Sequence, residues 1–387
     1  MEAHKLMDKY PSISDLEKKA KSRIPNVAWM YLQSGTGREV AGIKNRLSFD
    51  QYSMLPSFVK GNLDVDLSCK IFGKSYQFPF GVAPVGLTGL VWPKSEFYLA
   101  QAAASNGYPF CLSTVATQTP ESVGKYVGDM GWFQLYPPKD LSIRADILKR
   151  AKDNGFHTLV ITADVPAPAR REASRKAGMS LPVKYSARMI WDGISHPVWT
   201  WQTLKEGLPN LKTVASYAPT KDMKAAAAFA RFKFRGDLDW EYIKQVKEIW
   251  DGPVIIKGIL HPEDALKAAE LGIDGICVSN HGGRQFDGAP AALEALAPIV
   301  KAAGSKTKII FDSGITSGLD IIKALALGAD FVLLGKAFMY GCAALGKYGP
   351  AHVSNILAED LINNMKQLGV SSIHECKSLS ISKDFYR

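Results

Sequence analysis

Cysteine is scarce in this chain of 387 residues, and none of its five cysteines forms a Cys-x-x-Cys pair. We therefore expect neither a disulfide framework nor a metal site, and a reducing compartment is the default. The chain also lacks an apolar run of the ~18 residues that a membrane-spanning helix needs, and it lacks a secretory signal. These absences exclude disulfide-stabilised and transmembrane classes of protein.

The chain has a net charge of +10, and nearly all of this excess lies in one segment that has few acidic residues. Residues 170–235 hold thirteen Lys and Arg against four Asp and Glu, a net charge of +9. Such a segment favours an anionic partner. A solvated loop is one interpretation, and nucleic acid is disfavoured because no known nucleic-acid-binding module is present. We prefer peripheral contact of residues 177–215 with an anionic membrane, because aromatic residues lie among the cations: Tyr185, Trp191, Trp199 and Trp201.

A repeated pattern organises the rest of the chain: a helical stretch ends at Gly, and an apolar β-rich run follows. The pattern and the intervening runs predict eight buried strands: Phe80–Ala83, Phe110–Leu112, Trp132–Leu135, Thr158–Ile161, Val254–Lys257, Ile276–Val278, Ile309–Asp312 and Phe331–Leu334. Their number and spacing favour an α/β fold, a (β/α)8 TIM barrel, over a doubly wound open sheet.

We predict that residues 1–387 form one domain. Within it, residues 1–75 form a helical N-terminal segment, 76–345 the barrel and 346–387 a C-terminal helical segment. The connection between the fourth and fifth strands is too long for a simple crossover, so the basic segment 172–235 is predicted to be an insertion.

The loop after the sixth predicted strand carries the clearest chemical signal. Residues 279–285 read Ser-Asn-His-Gly-Gly-Arg-Gln, so His281 and Arg284 stand three residues apart with two glycines between them. Imidazole can accept a proton near neutral pH, and guanidinium can hold a carboxylate with two parallel hydrogen bonds. In a barrel these residues lie at the C-terminal ends of the strands, where active sites are found. The loop therefore predicts oxidation of a 2-hydroxy acid.

Several motifs together resemble the FMN-dependent 2-hydroxy-acid oxidising family over almost the whole chain. They are Ala28–Tyr31, Trp132–Tyr136, Lys257-Gly258, Ser279–Gln285 and Lys323–Ala329. Within the family, the stretches Pro84–Gly89 and Val183–Ala187 look most like membrane-associated (S)-mandelate and L-lactate dehydrogenases. The resemblance implies FMN as cofactor, a small 2-hydroxy acid as substrate and a homotetramer.

Roles follow from the resemblance position by position. It implies that His281 is the catalytic base, that Asp164 stabilises its protonated form, and that Lys257 lies beside the flavin ring. It further implies that the substrate lies among Tyr31, Tyr136, Arg171, His281 and Arg284, with Tyr136 and Lys257 also counted as catalytic. The remaining positions that it assigns to the cofactor are Pro84, Val85, Gly86, Ser113, Gln134, Thr162, Ser279, Asp312, Ser313, Gly314, Gly335 and Lys336.

The chain departs from the family pattern at three positions. Thr316 and Lys336 replace arginines that are usual near the FMN phosphate, so bidentate guanidinium contacts are lost and one ammonium charge is kept. Backbone amides and a helix N-terminus can still hold phosphate. Val115 stands where oxidases often carry an aromatic residue, and with Gly86 it leaves room for a bulky substrate.

The resulting hypothesis is an FMN-dependent L-2-hydroxy-acid dehydrogenase that acts on a lactate- or mandelate-type substrate and passes electrons to a quinone. It would lie peripherally on the cytoplasmic side of the inner membrane. The alternatives are a soluble oxidase that uses O2 and releases H2O2, a flavin-dependent barrel isomerase, and a barrel that has lost FMN.

Overall fold

Eight short runs of β-branched and aromatic residues form the parallel strands of a closed barrel. The computed structural model describes residues 3–179 and 186–385, so Lys184 and Tyr185 of the predicted membrane segment lie outside the described residues. The strands are β1 (Ser53–Met54), β2 (Cys69–Ile71), β3 (Lys74–Tyr76), β4 (Phe80–Val82), β5 (Phe110–Ser113), β6 (Gly131–Leu135), β7 (Phe156–Thr162), β8 (Val254–Ile259), β9 (Gly275–Val278), β10 (Lys308–Phe311), β11 (Phe331–Leu334) and β12 (Ile381–Ser382).

Strands β4 to β11 make the barrel, in chain order, and β11 closes it by pairing with β4. Nearly every residue of these strands is buried, as expected where parallel strands are covered by helices outside and filled by side chains inside. The TIM barrel and all eight predicted strands are confirmed.

Helices surround the barrel and extend it at both chain ends. They are α1 (Ala3–Lys9), α2 (Ile13–Lys21), α3 (Asn26–Gln33), α4 (Val40–Asp50), α5 (Thr88–Val91), α6 (Ser95–Asn106), α7 (Pro120–Val127), α8 (Leu141–Asp153), α9 (Glu172–Lys176), α10 (Ala187–Ser195), α11 (Pro197–Glu206), α12 (Lys212–Ala215), α13 (Met223–Phe229), α14 (Trp240–Ile249), α15 (Pro262–Glu270), α16 (Ala292–Ala303), α17 (Gly318–Ala326), α18 (Lys336–Leu345), α19 (Gly349–Leu368) and α20 (Ile373–Cys376). A π-helical turn, Ala230–Phe234, follows α13.

The sequence predicted helical segments at both chain ends, but each of these segments also contains at least one β-strand. The β2–β3 hairpin packs its aromatic residues against the floor of the barrel, where Trp132 Nε1 donates a hydrogen bond to the Tyr76 hydroxyl at 3.1 Å. The rings of Phe72 and Phe331 also pack against Trp132, which is fully buried. Strand β12 near the C-terminus pairs with β1. The hairpin seals the N-terminal end of the barrel and leaves the opposite end for chemistry.

The N-terminal segment crosses to that opposite end and packs on the loop after β9. Asn45 and Asn280 exchange two buried amide hydrogen bonds of 2.7 Å each. Gly283 has a positive φ of 74°, and a Cβ there would lie 2.4 Å from the backbone nitrogen of Gly42. Only glycine allows the loop and helix α4 to approach so closely.

The insertion between β7 and β8 contains α9 to α13 and the π-helical turn, with α14 completing the crossover. It is fixed to the body of the protein: Trp199 Nε1 lies 3.1 Å from the Leu90 carbonyl, and Lys94 pairs with Glu206 at 2.8 Å. Trp199 is therefore directed inward, which corrects its predicted place among interfacial aromatic residues. Its indole N–H satisfies carbonyls at the end of α5.

Candidate active site

A cavity of about 700 Å³ opens at the C-terminal ends of the barrel strands. This volume lies within the ~300–1,000 Å³ that is usual for ligand and cofactor sites. Most residues predicted for the site line it: Tyr31, Pro84, Val85, Gly86, Tyr136, Arg171, Lys257, His281, Arg284, Asp312, Ser313, Gly314, Gly335 and Lys336. The structure therefore gathers residues from strands, loops and the N-terminal helices into one space.

The other predicted residues do not line the cavity but support its lining from below: Ser113, Gln134, Thr162, Asp164 and Ser279. Ser113 Oγ donates to Gln134 Oε1 at 2.7 Å, and Gln134 Nε2 donates to Thr162 Oγ1 at 2.9 Å. These buried side chains cross the ends of β5, β6 and β7 and satisfy one another. A continuous polar layer thus underlies the cavity.

Lys257 extends the layer across the next three strands. Its Nζ contacts Asp312 Oδ2 at 2.7 Å and Ser279 Oγ at 2.8 Å. Burial alone would lower the pKa of Lys257, but the carboxylates of Asp312 and Asp164 outweigh it and raise that pKa. The lysine is therefore a permanently charged group under the cavity.

Asp164 orients His281. The His281 Nδ1 lies 2.9 Å from Asp164 Oδ1, which assigns the proton to Nδ1 and leaves the Nε2 lone pair available. The carboxylate fits behind the imidazole because residue 258 is glycine with a φ of 103°. A Cβ there would lie 2.4 Å from the Asp164 Cβ.

The charge state of this pair suits a base. Burial lowers the pKa of His281, and the opposing effect of Asp164 does not restore it to the ordinary value. Burial would raise the pKa of Asp164, but the charge and hydrogen bond of His281, together with Lys257, lower it. With both pKa values lowered, the pair consists of a neutral imidazole and an ionised carboxylate near neutral pH. Asp164 Oδ2 is buried and has no hydrogen-bond partner among the described residues, so the carboxylate can still accept a hydrogen bond.

Arg284 is held by the N-terminal segment. Its Nη1 donates to the carbonyls of Leu32 and Ser34, and its Nη2 donates to the carbonyl of Tyr31 at 2.8 Å. Within the described part of the chain these bonds leave Nε–H and one Nη2–H, which together form a side-on fork for a carboxylate. Burial, together with Arg171, lowers the pKa of Arg284 to about 10, so it stays cationic at neutral pH.

The remaining predicted substrate residues also lie in the cavity. Tyr31 donates its hydroxyl proton to the Gly86 carbonyl at 2.7 Å, and the Arg284 guanidinium lies over its ring. Tyr136 is close to Asp164, and burial together with that carboxylate raises its pKa, so the phenol stays protonated. Arg171 and His281 both have left-handed backbones, with φ of 44° and 58°. Such strain in non-glycine residues is typical of functional sites.

The cavity ends near β10 and β11, where the resemblance puts the cofactor phosphate. Lys336 Nζ donates to the Gln33 carbonyl at 2.8 Å. Burial and the nearby Arg284 lower the pKa of Lys336 to about 8. Lys336 also begins α18, whose N-terminus has no side-chain cap. In contrast, the amides of Thr316 and Ser317 already donate to Asp320 and are not free.

Sequence reasoning missed three arginines that line the cavity: Arg46, Arg231 and Arg235. Arg46, on α4, donates to the Gly314 carbonyl and to Thr316 Oγ1. Arg235, at the end of the insertion, enters from the other side. Thr316 stands where an arginine is usual, and this could have prompted a search for another cation near the phosphate, such as Arg46. No local pattern separates Arg235 from the other cations of the basic segment.

Comparison with known proteins gives a consistent result. Residues 20–383 match the sequence profile of a family described as FMN-dependent dehydrogenase. An L-lactate dehydrogenase from Xanthomonas euvesicatoria pv. vesicatoria is 37% identical over 373 residues, covering 96% of each chain. One from Ectopseudomonas mendocina is also 37% identical, covering 96% of this chain and 98% of the relative.

Solved structures agree. A crystal structure described as the monotopic membrane protein (S)-mandelate dehydrogenase superposes with a TM-score of 0.90 at 34% identity, covering 96% of this chain and 99% of the other. A mandelate oxidase superposes with a TM-score of 0.82 at 31% identity, covering 96% and 98% of the two chains.

The Asp164–His281 pair predicts how the imidazole titrates. In Asp164→Asn the amide oxygen can still accept the Nδ1–H bond, but the negative charge that raises the pKa of His281 is gone. The pKa of His281 should then fall further below its ordinary value. NMR titration of the imidazole resonances measures this, with the other histidines as internal references. An unchanged or raised midpoint would show that Asp164 does not set the charge state of His281.

Proposed function

Because the chain belongs to the FMN-dependent dehydrogenase family, we propose that it oxidises an L-2-hydroxy acid of the lactate or mandelate type to the 2-keto acid. The observation that carries the proposal is the His281 imidazole, hydrogen-bonded to Asp164, which faces the same cavity as Arg284 and Arg171. Yellow colour on purification, followed by anaerobic bleaching with L-lactate or L-mandelate, tests it directly.

The cavity fits FMN. Lys257 lines its floor and would face the heteroatoms of a flavin ring, and the Ser113–Gln134–Thr162 chain forms the polar layer beneath it. At the far end Lys336, the uncapped start of α18 and Arg46 form a cationic recess for a phosphate. Arg46 would supply the guanidinium that Thr316 lacks. When bound, FMN supplies a two-electron acceptor next to the substrate.

The protein's own groups account for the remaining chemistry. The forks of Arg171 and Arg284 hold the substrate carboxylate and so fix the position of the reacting carbon. His281 Nε2 removes a proton from the substrate, and the cation that forms on the ring is stabilised by Asp164. Tyr31 and Tyr136 confine the substrate near the imidazole.

We assign electron transfer to a quinone in the membrane on the strength of the exposed face of the insertion. Helices α10 and α11 and the turn after them present large apolar side chains to solvent: Ile190, Trp191, Ile194, Val198, Trp201, Leu204 and Leu208. The same insertion also carries exposed cations: Arg175, Lys176, Lys205 and Lys212. Apolar and aromatic residues beside positive charge suit insertion into an anionic interface.

No described helix has both the length and the hydropathy to span a bilayer. From the exposed apolar face of α10 and α11, we propose peripheral attachment on the cytoplasmic side of the inner membrane. Hydrogen peroxide release in place of quinone reduction would favour the oxidase alternative. The tetramer implied by the family resemblance stays a prediction that light scattering can check.

His281→Gln should keep FMN bound but lose substrate-driven flavin reduction by about 10²–10⁴-fold, because the amide cannot accept the proton. Anaerobic stopped-flow absorbance with a good substrate measures the rate. His374→Gln, at an exposed position remote from the cavity, is the matched control and should behave as wild type. Near-normal reduction by the His281 variant would remove His281 as the base.

Arg46→Gln should raise the dissociation constant of FMN by about tenfold or more, because a charged hydrogen-bond donor to the phosphate is lost. Quenching of FMN fluorescence on titration with apoprotein measures the constant without any turnover. Lys44→Gln, an exposed residue on the same helix outside the cavity, is the control. Equal affinities in the two variants would take Arg46 out of the phosphate site.

Replacing Trp191 and Trp201 together by Ser should reduce binding to anionic phospholipid vesicles by at least about tenfold, because two large apolar anchors are lost. Cosedimentation measures the bound fraction. Phe58→Ser with Leu141→Ser removes two apolar side chains of similar exposure outside the insertion. Membrane docking through α10 and α11 is wrong if both double variants bind alike.

A further inference from the structure

One wall of the cavity is contributed by the insertion and differs in character from the polar floor. It is largely apolar, and its residues are Met179, Leu211, Met223, Ala227, Ala230 and Phe234. Arg235 directly follows this wall and also lines the cavity. A guanidinium beside an apolar surface can recognise a ligand that has an acidic group at the end of a hydrocarbon stem.

Backbone pairing fixes the position of Arg235. The Lys139 amide donates to the Phe234 carbonyl at 2.8 Å, and the Gly236 amide donates to the Pro137 carbonyl at 2.8 Å. Arg235 itself forms an antiparallel bridge with Pro138. It is thus held against the loop that directly follows Tyr136, so it belongs to the substrate side of the cavity and not to the phosphate end.

The guanidinium of Arg235 has unused bonding capacity. Its Nη1 is buried, and it has no hydrogen-bond partner in the described structure. Burial lowers the pKa of Arg235, against a raising effect of Tyr136, and Arg171 lowers it further. These electrostatic effects also show that Arg235 lies near Tyr136 and Arg171, two of the predicted substrate residues. A buried, unpaired donor on a cation is costly unless a ligand satisfies it.

Among the residues that the structure describes, Arg235 also has no carboxylate as an ion-pair partner. Among the described residues that line the cavity, seven are Arg or Lys and three are Asp or Glu. Lys257 pairs with Asp312, Lys336 and Arg46 suit the phosphate, and Arg171 with Arg284 suits one carboxylate. Glu17, Glu39 and Arg231 also line the cavity, but no carboxylate of the described residues forms an ion pair with Arg235. A monocarboxylic substrate held by Arg171 and Arg284 would therefore leave Arg235 without an anionic partner.

We propose that Arg235 binds a second carboxylate, on the side chain of the substrate, so that the protein prefers dicarboxylic L-2-hydroxy acids. This inference rests on the proposed function and adds the substrate class. The apolar wall next to Arg235 contacts the methylene groups that join the two acidic ends. Arg235 is thus a specificity-determining residue for the same reaction.

The test compares matched substrates that differ only in the distal acid. Anaerobic flavin reduction gives kcat/KM for L-malate against its distal monoamide, and for L-2-hydroxyglutarate against its distal monoamide. The wild type should prefer each acid over its amide. Arg235→Gln should reduce the acid-over-amide ratio by about 10- to 100-fold, as expected for a charged hydrogen bond, and Arg235→Lys should keep part of it.

Arg170→Gln removes an exposed cation at the start of the same segment and should leave the ratio at the wild-type value. An acid-over-amide ratio near one in the wild type overturns the proposal, even if the Arg235 variants fail to fold. A ratio unchanged in Arg235→Gln overturns it as well. Bleaching by L-lactate or L-mandelate with no preference for the acids removes only this inference, whereas no bleaching by any 2-hydroxy acid removes the proposed function itself.

Discussion

The buried ion pair between Lys257 and Asp312 is the constraint on which the site depends. Both side chains are less than a tenth exposed, and their 2.7 Å contact joins the ends of β8 and β10 across β9. Removing either partner would leave an uncompensated charge in the interior, at a cost of about 3–5 kcal/mol. Lys257 also donates to Ser279 Oγ, which in turn accepts the His281 backbone N–H at 3.0 Å. The position of His281, the proposed base, therefore depends on this ion pair.

The N-terminal segment is as necessary to the site as the barrel. It supplies the carbonyls of Tyr31, Leu32 and Ser34, which fix Arg284, and the amide of Asn45, which fixes Asn280. A barrel strand can position only its own end and the loop that follows. The side-on fork of Arg284 faces the cavity because the carbonyls of the N-terminal segment accept the other hydrogen bonds of its guanidinium.

The sequence predicted the barrel and most of the site because both have local signals. Continuous apolar runs that end in polar residues mark buried strands, and those polar residues must meet at one end of a barrel. The pairing of Arg46 with Thr316 joins positions far apart in the chain, and no periodicity encodes it. The inward turn of Trp199 and the burial of Arg235 Nη1 likewise depend on which face the insertion turns to the barrel. Composition could show only that this segment is basic and aromatic.

The excess of cations around the cavity would serve both the proposed substrate binding and the proposed proton transfer. After burial, Lys257 and Arg171 are among the influences that lower the pKa of His281, whereas Asp164 raises it. They keep the imidazole neutral and ready to accept a proton while the site awaits an anion. An anionic substrate bound to Arg171 would offset part of that positive field, and the basicity of His281 would rise when the substrate is in place. The imidazole would gain basicity only with an anion bound. The cations that select the substrate would therefore also ensure that His281 becomes a stronger base only when the substrate is in place.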